Sequence, residues 1–145
     1  MGTRKLPGDI PVKRMIESAF AVLSHAYAPY SGFKVGAALL TADGQIYTGC
    51  NVENAALSPG NCAERTAVFK AVSEGRREFR AVCIVNEDSG GGHDICPPCG
   101  VCRQVLMEFA RPDEFWIILA TDTDSYETYT LAELLPLGFG PGSLK

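Results

Sequence analysis

GNCAERTAVFKAV, Gly60 to Val72, is the stretch from which the rest of the chain can be read outward. Its apolar periodicity predicts a helix from near Cys62 to Ser73, closed by Gly75. A cysteine, and two residues later a glutamate, stand where that helix begins. In mid-helix, side chains two positions apart point to nearly opposite sides, so Cys62 and Glu64 could not address one point. At a helix end they can, because both first-turn residues reach a site lying on the extension of the axis.

Upstream, FKVGAALLT (33–41) and QIYTGCNV (45–52) flank Asp43-Gly44 and predict two strands joined by a hairpin turn. Before them, Met15, Ile16, Ala19, Phe20 and Leu23 recur at helical spacing between Ile10 and about Tyr27, with Pro11 in the first turn. Downstream, RAVCIVNE (80–87) predicts a short buried strand, and DSGGGHDIC (88–96) a loop whose Gly-rich part looks disordered or loop-like. CGVCRQVLMEFA (99–110) predicts a third helix ending before Pro112, and FWIILAT (115–121) and YETYT (126–130) two more strands. Thr130 and Glu133 form a capping box for a short helix, LAELL, stopped by Pro136. This order predicts an α/β fold, a three-layer α-β-α sandwich around a mixed sheet of about five strands. One domain is expected over residues 1–145, with 1–8 as a flexible tail.

Thirteen Lys and Arg against seventeen Asp and Glu leave a net charge of −4, and the basic residues are scattered. That excludes the basic stripe a polynucleotide partner would need. No apolar run is long enough to span a membrane or to serve as a signal peptide, so a cytoplasmic location is expected. In that setting the six cysteines read as metal ligands, reactive thiols or buried core rather than a disulfide framework.

Cys99 and Cys102 stand three apart at the start of the third helix, which sends both thiols to one side of its first turn. The partial positive charge of a helix N-terminus favours the thiolate. Cys62 has the same placement on the other helix. Three sulfurs converging from two helix ends can hold Zn²⁺, one ion per chain, and leave its fourth position open, as in catalytic sites. A carboxylate beside that position, Glu64, can act first as base and then as acid.

C-x-E followed by P-C-x-x-C is the three-cysteine form of the zinc nucleobase deaminase signature. Through YSGFKVGAALL (30–40), GCNVENA (49–55), CAERTA (62–67), PCGVCRQVL (98–106) and ELLPLGFGP (133–141), nearly the whole chain resembles the small homotetrameric cytidine deaminases. The resemblance implies hydrolytic deamination of cytidine and 2′-deoxycytidine to uridine and 2′-deoxyuridine, a step of pyrimidine salvage. It implies zinc on Cys62, Cys99 and Cys102, with Glu64 shuttling protons as water adds to C4 of cytosine and ammonia leaves. Arg65 would lie against the ligand sulfurs, and Gln104 would support them. Asn51 and Glu53 would grip the ribose 3′-hydroxyl, Phe33 and Ala63 would contact the substrate, and Phe139 would reach a neighbouring subunit's base in a homotetramer with shared sites. The carboxylate of Glu53 would accept from a sugar hydroxyl and repel phosphate, so nucleosides are expected ahead of nucleotides.

Two positions depart from the pattern. Leu57 stands where many relatives carry an aromatic residue, often Tyr, and Cys96 adds a thiol three residues before Cys99. Cys50 and Cys83 lie in predicted strands and read as small buried apolar residues, and His25 and His93 have no ligand-like partner. Three other readings stay open: a deaminase of another aminated base or nucleoside-like antibiotic, a non-catalytic module in which Cys96 or another thiol closes a four-cysteine zinc site, and a thiol redox protein built on the C-x-x-C pair.

Overall fold

The computed structural model describes residues 4–144. Its centre is a five-stranded sheet in the order β2-β1-β3-β4-β5, formed by β1 (Lys34–Thr41), β2 (Ile46–Cys50), β3 (Phe79–Glu87), β4 (Trp116–Asp122) and β5 (Ser125–Thr130). The hairpin β1–β2 is antiparallel, with Leu40 opposite Ile46 and Gly36 opposite Cys50. β3 pairs antiparallel with β1 and parallel with β4, and β5 returns antiparallel to β4, so the sheet is mixed.

Alternation along the strands sorts the core into two layers. Met15, Ile16 and Ala19 of α1 (Val12–Val22) pack against Ala38, Leu40, Cys83, Val85 and Ile118 on one face. On the other, Ala67, Val68 and Ala71 of α2 (Ala63–Ser73) and Leu106 of α3 (Gly100–Phe109) meet Ala37, Leu39, Val82, Ile84 and Leu119. This is the three-layer sandwich that the element order predicts.

Two glycines let the helices approach closely. A Cβ at Gly36 would run into the Ala19 carbonyl oxygen of α1, and one at Gly49 would meet the Ala63 carbonyl oxygen and lie 2.5 Å from Ala67 N in α2. The short helix α4 (Leu131–Leu134) carries the predicted capping box: Thr130 Oγ1 accepts from Glu133 N, and Glu133 Oε1 accepts from Thr130 N.

The structure differs from expectation at three places. The first helix gives way to a 3-10 turn over Leu23–His25, because Tyr27 leaves the helix to bridge Val52. The Gly-rich loop is an ordered turn: Asp88 Oδ1 accepts from Gly90 N and Gly92 N, and Gly91 takes φ 85°. Of the expected tail, residues 1–3 lie outside the described residues. Arg4 is pinned instead, with its N–H on Thr128 Oγ1 and its guanidinium on Glu133, and Leu6 packs against the core.

Candidate active site

Both helix N-termini open onto one cavity of about 710 Å³, lined among others by Phe33, Asn51, Glu53, Cys62, Glu64 and Cys99. The sheet puts them there. β2 runs into the loop that ends at Cys62, and β3 runs through the Asp88 turn to Cys99. Cys62 is the residue that caps α2, and its backbone is extended, φ −79° and ψ 156°. It is therefore outside the helical spiral, which frees its side chain from the opposed direction that a two-residue spacing imposes in mid-helix. Cys99 caps α3 in the same extended conformation, and its Sγ accepts from Cys102 N at 3.4 Å.

The sulfurs of Cys62, Cys99 and Cys102 lie within 4.8 Å of one another. Cys62 to Cys99 is 3.9 Å and Cys99 to Cys102 is 3.5 Å, too long for disulfides, and all three residues are free thiols. A tetrahedral zinc with Zn–S of about 2.3 Å needs sulfurs about 3.8 Å apart, so the donor set fits that ion. Arg65 Nη2 donates to Cys62 Sγ at 3.2 Å, and its buried Nε has no partner. The neighbouring Cys102 thiol, with Arg65 beside it, holds Cys62 down to about 5. Cys102 is shifted up by the same contact and by burial, so the two thiols titrate as a pair.

Glu64 is 4% exposed at the wall of the cavity. Burial, with the Cys62 thiolate nearby, raises its carboxyl to about 7, the range a group needs to take and return a proton near neutral pH. Ala63 beside it is buried and also lines the cavity.

Elsewhere on the cavity wall, Asn51 and Glu53 hold the segment that carries Phe33. Asn51 Oδ1 accepts from Val35 N at 2.8 Å while its Nδ2 donates to Phe33 O at 2.8 Å. Glu53 Oε1 accepts from Tyr30 N and Ser31 N at 3.0 and 3.2 Å, and Oε2 accepts from the Ser31 hydroxyl. These bonds, led by that of Ser31, hold the Glu53 carboxyl below its ordinary value. Glu53 is only half-buried.

One expected placement changes. Gln104 does not support the ligands: its Nε2 donates to Phe139 O at 2.8 Å. Two positions after Cys102 on α3, it is turned about 200° away from that ligand and meets the C-terminal segment. Phe139 is 60% exposed and does not line its own chain's cavity. Cys96 lines the cavity but lies outside the sulfur cluster, packed against the core, and burial with the nearby Glu64 and Cys62 raises its thiol to about 11. It closes no four-cysteine site. Cys83 is fully buried and its thiol is shifted up, while Cys50 is half-buried. His93 has its ring edge-on to Phe20 and its Nδ1 against Asn86 O. Leu57 stands 83% exposed at the rim with φ 38°. Ser31 was legible only as the neighbour of Phe33, because its partner Glu53 is 22 residues away.

Residues 11–118 match the family model described as the cytidine and deoxycytidylate deaminase zinc-binding region. A cytidine deaminase of Sporosarcina psychrophila is 46% identical over 133 residues, 92% of this chain and 94% of that protein. One of Halalkalibacterium halodurans is 44% identical over 125 residues, 86% and 91% of the two chains. Among solved structures, cytidine deaminase from Burkholderia pseudomallei superposes with a TM-score of 0.78 at 44% identity, covering 87% of this chain and 97% of that one. That from Mycobacterium tuberculosis gives 0.77 at 36% identity, covering 91% and 99%. With two helix ends, three converging thiols and a buried glutamate behind these matches, the chain belongs to the cytidine and deoxycytidylate deaminase family.

Proposed function

We propose that this protein hydrolyses cytidine and 2′-deoxycytidine to uridine and 2′-deoxyuridine, releasing ammonia. The observation that carries the reading is the buried Glu64 beside a cluster of three thiols spaced for one zinc ion, with Glu64, Cys62 and Cys99 lining one cavity and Cys102 buried behind them. The relatives named as cytidine deaminases support the substrate class.

Cys62, Cys99 and Cys102 would hold the ion, and Arg65, donating to Cys62 Sγ, offsets part of the negative charge that three thiolates bring. Bound there, zinc supplies the Lewis acidity that makes water a nucleophile near neutral pH. The Glu64 carboxylate takes a proton from that water and returns it to the amine leaving C4, so no proton is consumed at the site. Phe33 and Ala63 border the space for the base.

Asn51 and Glu53 suit a sugar hydroxyl by count. An ionised carboxylate has about four acceptor sites, and protein groups fill three on Glu53. The one left accepts a hydroxyl proton, and the second Nδ2 hydrogen of Asn51 can donate to the same oxygen. A 3′-phosphate has no proton to offer and meets the charge of Glu53, which supports a free 3′-hydroxyl on the substrate.

A homotetramer with shared sites goes with this reading, and the exposure of Phe139, Leu137 and Leu57 supports an assembly that covers them. The six free thiols suit the reducing cytoplasm. Among the described residues no helix is long and apolar enough to cross a membrane.

The test is incubation of the purified protein, its zinc content measured on the same sample, with cytidine, 2′-deoxycytidine, cytosine and CMP. Loss of the cytosine chromophore with the two nucleosides, and little with CMP, is the expected result. Zinc-loaded protein that leaves all four intact would overturn the proposal.

A further inference from the structure

The backbone of Phe33 is held entirely by side chains. Its N–H donates to Ser31 Oγ at 3.0 Å and its C=O accepts from Asn51 Nδ2 at 2.8 Å. Regular pairing of the sheet begins only at Lys34, so among the described residues no backbone partner fixes Phe33 where it enters the cavity wall. A serine hydroxyl has one hydrogen, and here it goes to Glu53 Oε2. Its lone pairs are then turned toward Phe33 N–H. The chain of bonds runs from the Glu53 carboxylate through the Ser31 hydroxyl to the Phe33 amide, each bond polarising the next. The same carboxylate holds Tyr30 N and Ser31 N through its other oxygen.

We propose that Ser31 is a positioning residue of this cavity, whose hydroxyl links Glu53 to the Phe33 backbone so that the sugar-binding carboxylate and the aromatic wall are set as one unit. This rests on the nucleoside reading of the site. Removing the hydroxyl leaves the Phe33 amide without an acceptor and frees Glu53 Oε2 to turn, so ground-state binding weakens on both sides of the substrate. Glu64 and the thiols are on other elements, α2 and α3, and the chemical step is untouched.

The test compares zinc-loaded wild type, Ser31→Ala and Ser31→Thr. For cytidine, Ser31→Ala is expected to raise KM about tenfold, the size of one charge-assisted hydrogen bond, with kcat within about twofold. Ser31→Thr, which keeps the hydroxyl, is expected to restore most of the loss. Amide hydrogen exchange, measured without substrate, should speed up about tenfold or more at Phe33 in Ser31→Ala and stay unchanged at Val35, whose N–H goes to Asn51. Unchanged exchange at Phe33, equal changes at Val35, a fall in kcat matching the rise in KM, or a KM still raised in Ser31→Thr would each overturn the proposal. Should wild type convert no nucleoside, the reading of the substrate fails, and exchange at Phe33 still decides whether Ser31 makes the link.

Discussion

Cys62 and Glu64 can address one point only because Cys62 is the cap of α2 and Glu64 lies inside its first turn. The division of labour proposed for them is sharp: sulfur for the ion, carboxylate for the proton. Glu64→Gln keeps the shape of the side chain and loses the base. It is expected to keep one zinc per chain and the thermal midpoint of wild type while kcat for cytidine falls at least about a hundredfold. Zinc analysis, a melting curve and the ultraviolet assay on one preparation check this, and a variant that still turns over cytidine would remove Glu64 from the chemistry. Of the thiol cluster, the i, i+3 pair Cys99 and Cys102 was legible in the sequence because it sits within one turn of one helix, whereas Cys62, 37 residues from Cys99, was reached only through the resemblance and its place at a helix start. Ser31 and Gln104 were not, because each acts on a partner brought near by the fold, Glu53 at 22 residues and Phe139 at 35.

The sheet and α2 together set the distance between the cavity walls. Gly49 of β2 lies directly under the first turns of α2, where a methyl group would meet the Ala63 carbonyl oxygen. Gly49→Ala must therefore push away the helix end that carries Cys62 and Glu64. Overpacking of this kind costs about 1–3 kcal/mol, readable in urea denaturation, and zinc should be lost to a chelator faster than from wild type. Unchanged stability and zinc retention would mean that the contact is not as tight as described. The elements themselves were legible from their periods: Ala37, Leu39 and Ala38, Leu40 alternate between two buried faces, and the α1 residues recur every three or four. Their ends were less so, because they are decided by contacts outside the element. Tyr27 is taken from the first helix by its bridge to Val52, and Arg4 is taken from the expected tail by Thr128 and Glu133.

For the whole molecule, the layer architecture could be read from the order of elements, whereas the strand order β2-β1-β3-β4-β5 could not, since pairing across β1 and β3 leaves no local mark. The surface carries Leu137, fully exposed, with Phe139 and Leu57 mostly so, and a lone chain has no use for them there. Sedimentation of wild type is expected to give a tetramer, and Phe139→Ala to weaken both assembly and cytidine turnover. A fully active monomer would contradict the shared site. The central claim, an open zinc site on Cys62, Cys99 and Cys102, is tested most directly by X-ray absorption at the zinc edge of the native protein. The account predicts three sulfur neighbours at about 2.3 Å and one oxygen or nitrogen neighbour. Four sulfur neighbours would mean a closed site with no place for water, and would contradict it.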